Sequence, residues 1–72
     1  MMEIPIVNNL QFKRVDYRVS MGKTYAFVTC VDVQSHGHAK NEKKYWGEVM
    51  FMNDPDDILN VMEYGSHWDY LP

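Results

Sequence analysis

Apolar residues recur along three stretches of the chain that are bounded by turn residues or a polar loop, and these stretches predict three β-strands. We expect the strands over residues 10–19, 24–34 and 44–52, with valine, threonine and aromatic residues concentrated in the second. In the first stretch the apolar residues change parity near residues 13–14, which predicts a β-bulge there. Gly22 can take a positive φ, so a short hairpin turn is expected between the first two strands.

A helix is predicted over residues 55–64 by signals at both of its ends. Asn53 or Asp54 can cap the N-terminus, Pro55 suits the first helical position, and acidic residues in the first turn complement the helix dipole. Gly65 is a residue type that commonly ends helices. One side of this helix is apolar and the opposite side is polar, which predicts burial of one face. The apolar side carries Ile58, Val61 and Met62.

These elements predict an α+β fold, namely a three-stranded antiparallel β-meander with one C-terminal α-helix packed on one face, in the order βββα. Residues 1–72 suffice for a single small domain. We expect an irregular or edge segment at residues 1–9, where Pro5 cannot donate to a sheet ladder, and a short aromatic tail at residues 66–72. The expected stability is low, roughly 4–8 kcal/mol, because a small domain buries a small share of its surface.

The second and third predicted strands are apolar on both faces. In the second, one parity carries Tyr25 and Phe27, whereas the other carries Val28 and Cys30. A sheet with one solvated face should instead alternate apolar and polar residues, and a single short helix covers only one face. Either the N-terminal segment and the aromatic tail close the second face, or an oligomer or another protein covers it.

Charge is unevenly distributed along a chain of net charge −3. All seven basic residues precede position 45, whereas residues 45–72 contain six acidic residues and no basic one. One interpretation is that the acids near the helix start only stabilise its N-terminus. The other is that the second half presents an acidic surface to a basic partner.

Few residues suggest chemistry. Cys30 is the only cysteine, so no disulfide can form within the chain, and its mid-strand position is typical of a buried small hydrophobe. His36 and His38 are weak candidates for a metal site, since no second closely spaced pair of ligands exists. We expect no catalytic residues and no cofactor, because no glycine-rich phosphate loop, nucleophile elbow or spaced carboxylate pair is present.

The sequence therefore predicts a non-catalytic protein-binding module, acting as a stoichiometric inhibitor or accessory subunit of a larger protein. Viral proteins that bind a host factor are one class of protein that acts in this way. We expect the uncovered sheet face, the acidic helix or both to contact the partner, and the chain to form a homo-oligomer. The candidate partner-binding residues are Tyr45, Trp46, Phe51, Asp56, Asp57, Asn60 and Glu63.

Two alternatives to this function remain. Exposed aromatic residues on the sheet, with lysine and arginine nearby, can bind single-stranded nucleic acid, although the negative net charge makes nucleic acid the less expected partner. A small oligomer could also sequester a small ligand between its subunits. No apolar run approaches the roughly 20 residues of a membrane span, and no signal peptide is visible, so we expect a cytoplasmic protein without membrane contact.

Overall fold

The computed structural model describes residues 3–34 and 42–68, which form one antiparallel sheet and one helix. Strand β1 spans Leu10–Ser20, β2 spans Lys23–Asp32 and β3 spans Glu42–Val49. Helix α1 spans Pro55–Tyr64, and a two-residue strand β4 follows at Ser66–His67. The spatial order of the strands is β1-β2-β3-β4. The α+β class, the meander and the C-terminal helix are thus confirmed.

The hairpin between β1 and β2 follows from the residues at its turn. Ser20 pairs with Lys23, and the two residues between them, Met21 and Gly22, have φ values of 52° and 77°. Two successive positive φ values are typical of a type I′ turn, whose twist matches that of the flanking strands. The predicted bulge is confirmed, because the pairing of β1 with β2 shifts register between Phe12 and Arg14.

Helix α1 begins and ends at the predicted residues. The Asp54 carboxylate accepts a hydrogen bond from the Asp56 amide at 2.9 Å, and Pro55 occupies the first turn. At the other end, Gly65 has φ −71°, an extended conformation that any residue can adopt. Glycine fits there because a Cβ atom would lie 2.5 Å from the Val61 carbonyl oxygen and 2.7 Å from that of Trp46. The helix stop is therefore set by the close approach of two backbones.

The hydrophobic core lies between α1 and one face of the sheet. The middle of β2 contributes alternate residues that are fully buried, Ala26, Val28 and Cys30. The predicted apolar side of α1 covers them with three buried side chains, as expected from helical spacing. The other core residues are Leu10 and Val49, with Ile4, Phe12, Val15, Tyr17 and Tyr45 packed against them. In the described part of the chain, no helix is both long and apolar enough to cross a membrane.

Two features of the predicted strand pattern are wrong. The sheet has four strands instead of three, because the start of the expected tail pairs with β3, His67 opposite Tyr45 and Ser66 opposite Trp46. The third strand also ends at Val49 instead of residue 52. The physical reason is the Asp57 carboxylate, which accepts hydrogen bonds from the backbone amides of residues 50 and 51 at 3.1 and 3.0 Å and draws them away from the sheet.

Candidate functional site

The face of the sheet opposite α1 is the candidate site, and we call it the open face. Side chains alternate across a strand, so the residues between the buried positions of β2 point away from the helix. Cross-strand pairing then places their partners on β1 and β3 on the same side. The open face consists of Gln11, Arg14, Asp16, Arg18, Ser20, Lys23, Tyr25, Phe27, Thr29, Val31, Glu42, Lys44, Trp46 and Glu48, together with Trp68 beyond β4 and the end of the Lys13 side chain.

Four rings form an aromatic cluster at the centre of the open face: Tyr25, Phe27, Trp46 and Trp68. The Trp46 ring stacks beside Phe27 at 6.2 Å between centroids and meets Tyr25 edge-on at 6.0 Å. Trp68 meets Phe27 edge-on at 5.5 Å. These are favoured arrangements for ring pairs, so the rings hold one another in place before any partner arrives.

Trp68 is attached to the sheet edge by two hydrogen bonds. Its backbone amide donates to the Lys44 carbonyl at 2.9 Å, and its indole Nε1 donates to the Tyr45 carbonyl at 3.0 Å. The Lys44 ammonium lies 5.3 Å from the centre of the indole ring, within range of a cation–π contact. The described beginning of the predicted aromatic tail thus folds back onto the domain, and residues 69–72 lie outside the described residues.

Charged side chains close the same half of the open face. Lys13 from β1 reaches across β2 to Glu42 on β3 at 2.7 Å, and Arg14 lies 3.9 Å from the same carboxylate. The hydrogen bond from Lys13, aided by the nearby positive charges, lowers the pKa of Glu42 although partial desolvation opposes it. Between these groups, Thr29 is 0% exposed. This half of the open face is therefore covered.

The other half remains uncovered and forms a shallow depression of about 420 Å³. It is lined by Arg18, Ser20, Tyr25, Phe27 and Trp46. Trp46 is still 37% exposed there, although it contacts two other rings. Side-chain anchors of a protein partner commonly insert into such apolar hollows beside an arginine.

The open face differs in charge from the rest of the chain. It carries five basic side chains, Lys13, Arg14, Arg18, Lys23 and Lys44, and three acidic ones, Asp16, Glu42 and Glu48. The other described residues carry one basic side chain, Lys43, and six acidic ones, Glu3, Asp32, Asp54, Asp56, Asp57 and Glu63. The structure thus gathers most of the basic side chains on the open face and leaves most of the acidic ones elsewhere.

The candidate partner-binding residues do not form one surface. Trp46 lies on the open face, whereas its neighbour Tyr45 faces the helix side, packs against the core and contacts the His67 ring edge-on at 6.0 Å. Phe51 is 63% exposed in the loop between β3 and α1. The remaining four belong to the helix. Asp56, Asn60 and Glu63 are exposed, whereas Asp57 is half-buried and accepts hydrogen bonds from backbone amides of the preceding loop.

Phe51 belongs to a second exposed apolar region, at one end of the sheet. Val19 and Met21 from the β1–β2 hairpin and Met50, Phe51 and Met52 from the following loop are all exposed. Pairing places these segments at the same end, because Val19 pairs with Thr24 and Thr24 with Val49. No charged residue lies among them in the sequence from 50 to 52.

Sequence reasoning missed Arg18, Tyr25, Phe27 and Trp68 as members of the site. The period-two pattern of β2 placed Tyr25 and Phe27 together on one face, but it did not indicate which face the helix covers. Arg18 pairs with Tyr25 across the hairpin, so a correct register supplies it as well. Trp68 was expected only as part of an aromatic tail that could close the second face, because its exact position depends on the two-residue pairing of β4.

Of the three residues considered above for metal binding or nucleophilic chemistry, the structure describes only Cys30. His36 and His38 fall outside the described residues. Within residues 3–34 and 42–68, no group of three or more histidine, cysteine or acidic side chains is arranged to hold a metal ion. Cys30 is fully buried in the core, and burial raises the pKa of its thiol to about 11. The thiol is therefore protonated at neutral pH.

Comparison of the chain with models of known protein families, with curated proteins and with solved structures found no match.

Proposed function

We propose that this chain is a non-catalytic protein-binding module that docks a larger protein on its open face. The observation that carries the proposal is the depression beside Trp46, where an aromatic cluster stays uncovered although the helix occupies the other side of the sheet. Apolar surface left exposed and bordered by charged groups is typical of an interaction site. The module acts by binding alone, as a stoichiometric inhibitor or accessory subunit of the larger protein. A viral protein that binds a host factor is one example of this class.

The composition of the depression supports a protein partner. Tryptophan, tyrosine and arginine are the residues most enriched among those that dominate binding energy, and Trp46, Tyr25 and Arg18 meet here. The rings already contact one another, so little side-chain entropy is lost when a partner binds. Ion pairs such as Lys23 with Glu48, at 4.0 Å, border the hollow and suit a polar rim.

Affinity capture from a lysate of the source cells tests the proposal when a face variant is compared with a matched control. Trp46→Ala removes the central ring of the open face, whereas Phe51→Ala removes an exposed ring in the loop after β3, outside the open face. We expect Trp46→Ala to lose at least one protein that the native chain and Phe51→Ala both retain. Melting curves establish that both variants fold. Identical captured proteins for all three chains would contradict docking on the open face.

Single-stranded nucleic acid is the second candidate partner, favoured by the five basic side chains around the aromatic cluster. Stacking of a base on an aromatic ring contributes about 1–3 kcal/mol, and phosphate contacts make affinity strongly salt-dependent. A labelled dT 20-mer at about 0.05 M salt distinguishes the two candidates. Binding that Trp46→Ala and Arg18→Ala both abolish, and that weakens steeply with salt, would favour nucleic acid over a protein partner.

A further inference from the structure

The outer surface of α1 is acidic, whereas the open face carries an excess of basic side chains. Its buried side faces the sheet, so Asp56, Asn60 and Glu63 are exposed along the opposite side. Tyr64 lies next to this row and is 81% exposed. At 100° per residue these four positions share one side of the helix. The surface is thus an acidic row with one free aromatic ring, and we call it the helix row.

The helix row and the open face are complementary in charge. The open face carries an excess of basic side chains and a hollow lined by aromatic rings and Arg18. The helix row carries carboxylates and a ring that contacts little of its own chain. The two surfaces lie on opposite sides of the sheet, so they cannot meet within one molecule.

We propose that the open face of one copy binds the helix row of a second copy, with the Tyr64 ring seated in the depression beside Trp46. The inference rests on the proposed function, because it takes the open face to be a docking surface. It also names a partner for that surface in the chain itself. Charge complementarity of this kind fixes orientation and speeds association.

The proposed contact is head-to-tail, since each copy uses a different surface toward each neighbour. Such a contact leaves one open face and one helix row free at the ends of every assembly, so growth continues beyond two copies unless the ring closes. Salt should weaken it, because the Debye length falls from about 10 Å at 0.1 M to about 3 Å at 1 M. A protein partner with higher affinity for the open face would displace the second copy.

Sedimentation velocity of the full chain tests the contact. Over about 10–500 μM at about 0.05 M salt, we expect the average mass to rise past that of a dimer, and to fall when salt is raised to about 0.5 M. Arg18→Glu on the open face and Tyr64→Ser on the helix row should each weaken association about tenfold or more. Lys43→Glu and Met50→Ser serve as matched controls, because they make the same kinds of change outside both surfaces, and they should associate like the native chain.

Mixing the two defective variants gives the sharpest result. Arg18→Glu keeps its helix row and Tyr64→Ser keeps its open face, so one native contact can form between them. We expect dimers with no further growth in the mixture and monomers in each variant alone. A mixture that stays monomeric would overturn the proposal, as would a native chain whose mass stops at two copies.

A third result separates this inference from the proposed function. If the native chain is monomeric at 500 μM while Trp46→Ala still loses a captured protein, the second copy is excluded and the open face still binds a protein. If the monomer instead binds the dT 20-mer through Trp46, nucleic acid occupies the face and the head-to-tail contact is overturned. If Trp46→Ala alters neither capture nor association, both proposals fail.

Discussion

Replacing Trp68 with alanine tests whether the segment after α1 is part of the folded domain. The indole is half-buried, donates one side-chain hydrogen bond to the Tyr45 carbonyl and meets Phe27 edge-on. A fully buried tryptophan cut to alanine costs about 3–5 kcal/mol, and half-burial reduces this. The hydrogen bond contributes about 1 kcal/mol and the ring pair about 0.5–1.5 kcal/mol. We expect Trp68→Ala to lower the free energy of unfolding by roughly 2–4 kcal/mol.

Urea unfolding measures this loss directly. A domain of this size has an m-value near 1 kcal/mol/M, so the midpoint should fall by about 2–4 M at unchanged m. Trp68→Phe is the informative partner variant, because it keeps a ring against Phe27 and removes only the donor to Tyr45, at a cost of about 1 kcal/mol. Tyr64→Ala controls for loss of an exposed ring and should stay within about 0.5 kcal/mol. A loss below about 0.5 kcal/mol for Trp68→Ala would refute the folded-back position of the indole.

Three further changes test how the fold is held. Asp57→Ala should lower the free energy of unfolding in urea by about 1–2 kcal/mol, because two loop amides lose their acceptor. Asp56→Ala is the control in the same helical turn and should lower it by less than about 1 kcal/mol. Gly65→Ala should cost about 1–3 kcal/mol through overpacking. Gly47→Ala, whose Cβ would lie 3.4 Å from a Val61 methyl and 4.0 Å from the Gly65 Cα, should melt closer to the native chain. Folding raises the pKa of the Cys30 thiol from 9.0 to about 11, so between these pH values the folded state stays protonated while the unfolded state ionises. The free energy of unfolding of the native chain should therefore fall by roughly 1–3 kcal/mol between about pH 9 and 11, relative to that of Cys30→Ala.

The elements that the sequence predicted well are those whose signals are local. The bounds of α1 follow from Asp54, Pro55 and Gly65, which act within one turn of the helix ends. The bulge in β1 follows from a change of parity within the same strand. β4 was missed because two residues show no periodicity, and the early end of β3 was missed because its cause, Asp57, lies eight residues further along the chain.

The candidate site was predicted only in outline, for a related reason. The pattern of β2 and β3 indicated that an apolar face stays uncovered, and the structure shows an aromatic cluster there. The individual residues chosen were scattered, because Tyr45 and Trp46 are adjacent in sequence and therefore point to opposite faces. Asp57 was expected to be an exposed surface acid, yet its carboxylate accepts hydrogen bonds from two backbone amides of the loop before the helix. Pairing register decides which side chains share a surface, and it depends on two strands at once, so the pattern of a single strand does not reveal it.

The bulge in β1 also determines where the chain can change its length. Along a regular strand, loss of one residue turns every later side chain to the other face of the sheet. The extra residue of β1 lies between Phe12 and Arg14, so loss of Lys13 would leave Phe12 on the helix side and Arg14 on the open face in unbroken alternation. Loss of Asp16 instead would turn Tyr17 out of the core. A single codon can therefore be deleted from β1 at one place with the alternation of both sheet faces preserved, at the loss of the Lys13–Glu42 ion pair, and natural variants that differ in strand length should differ there.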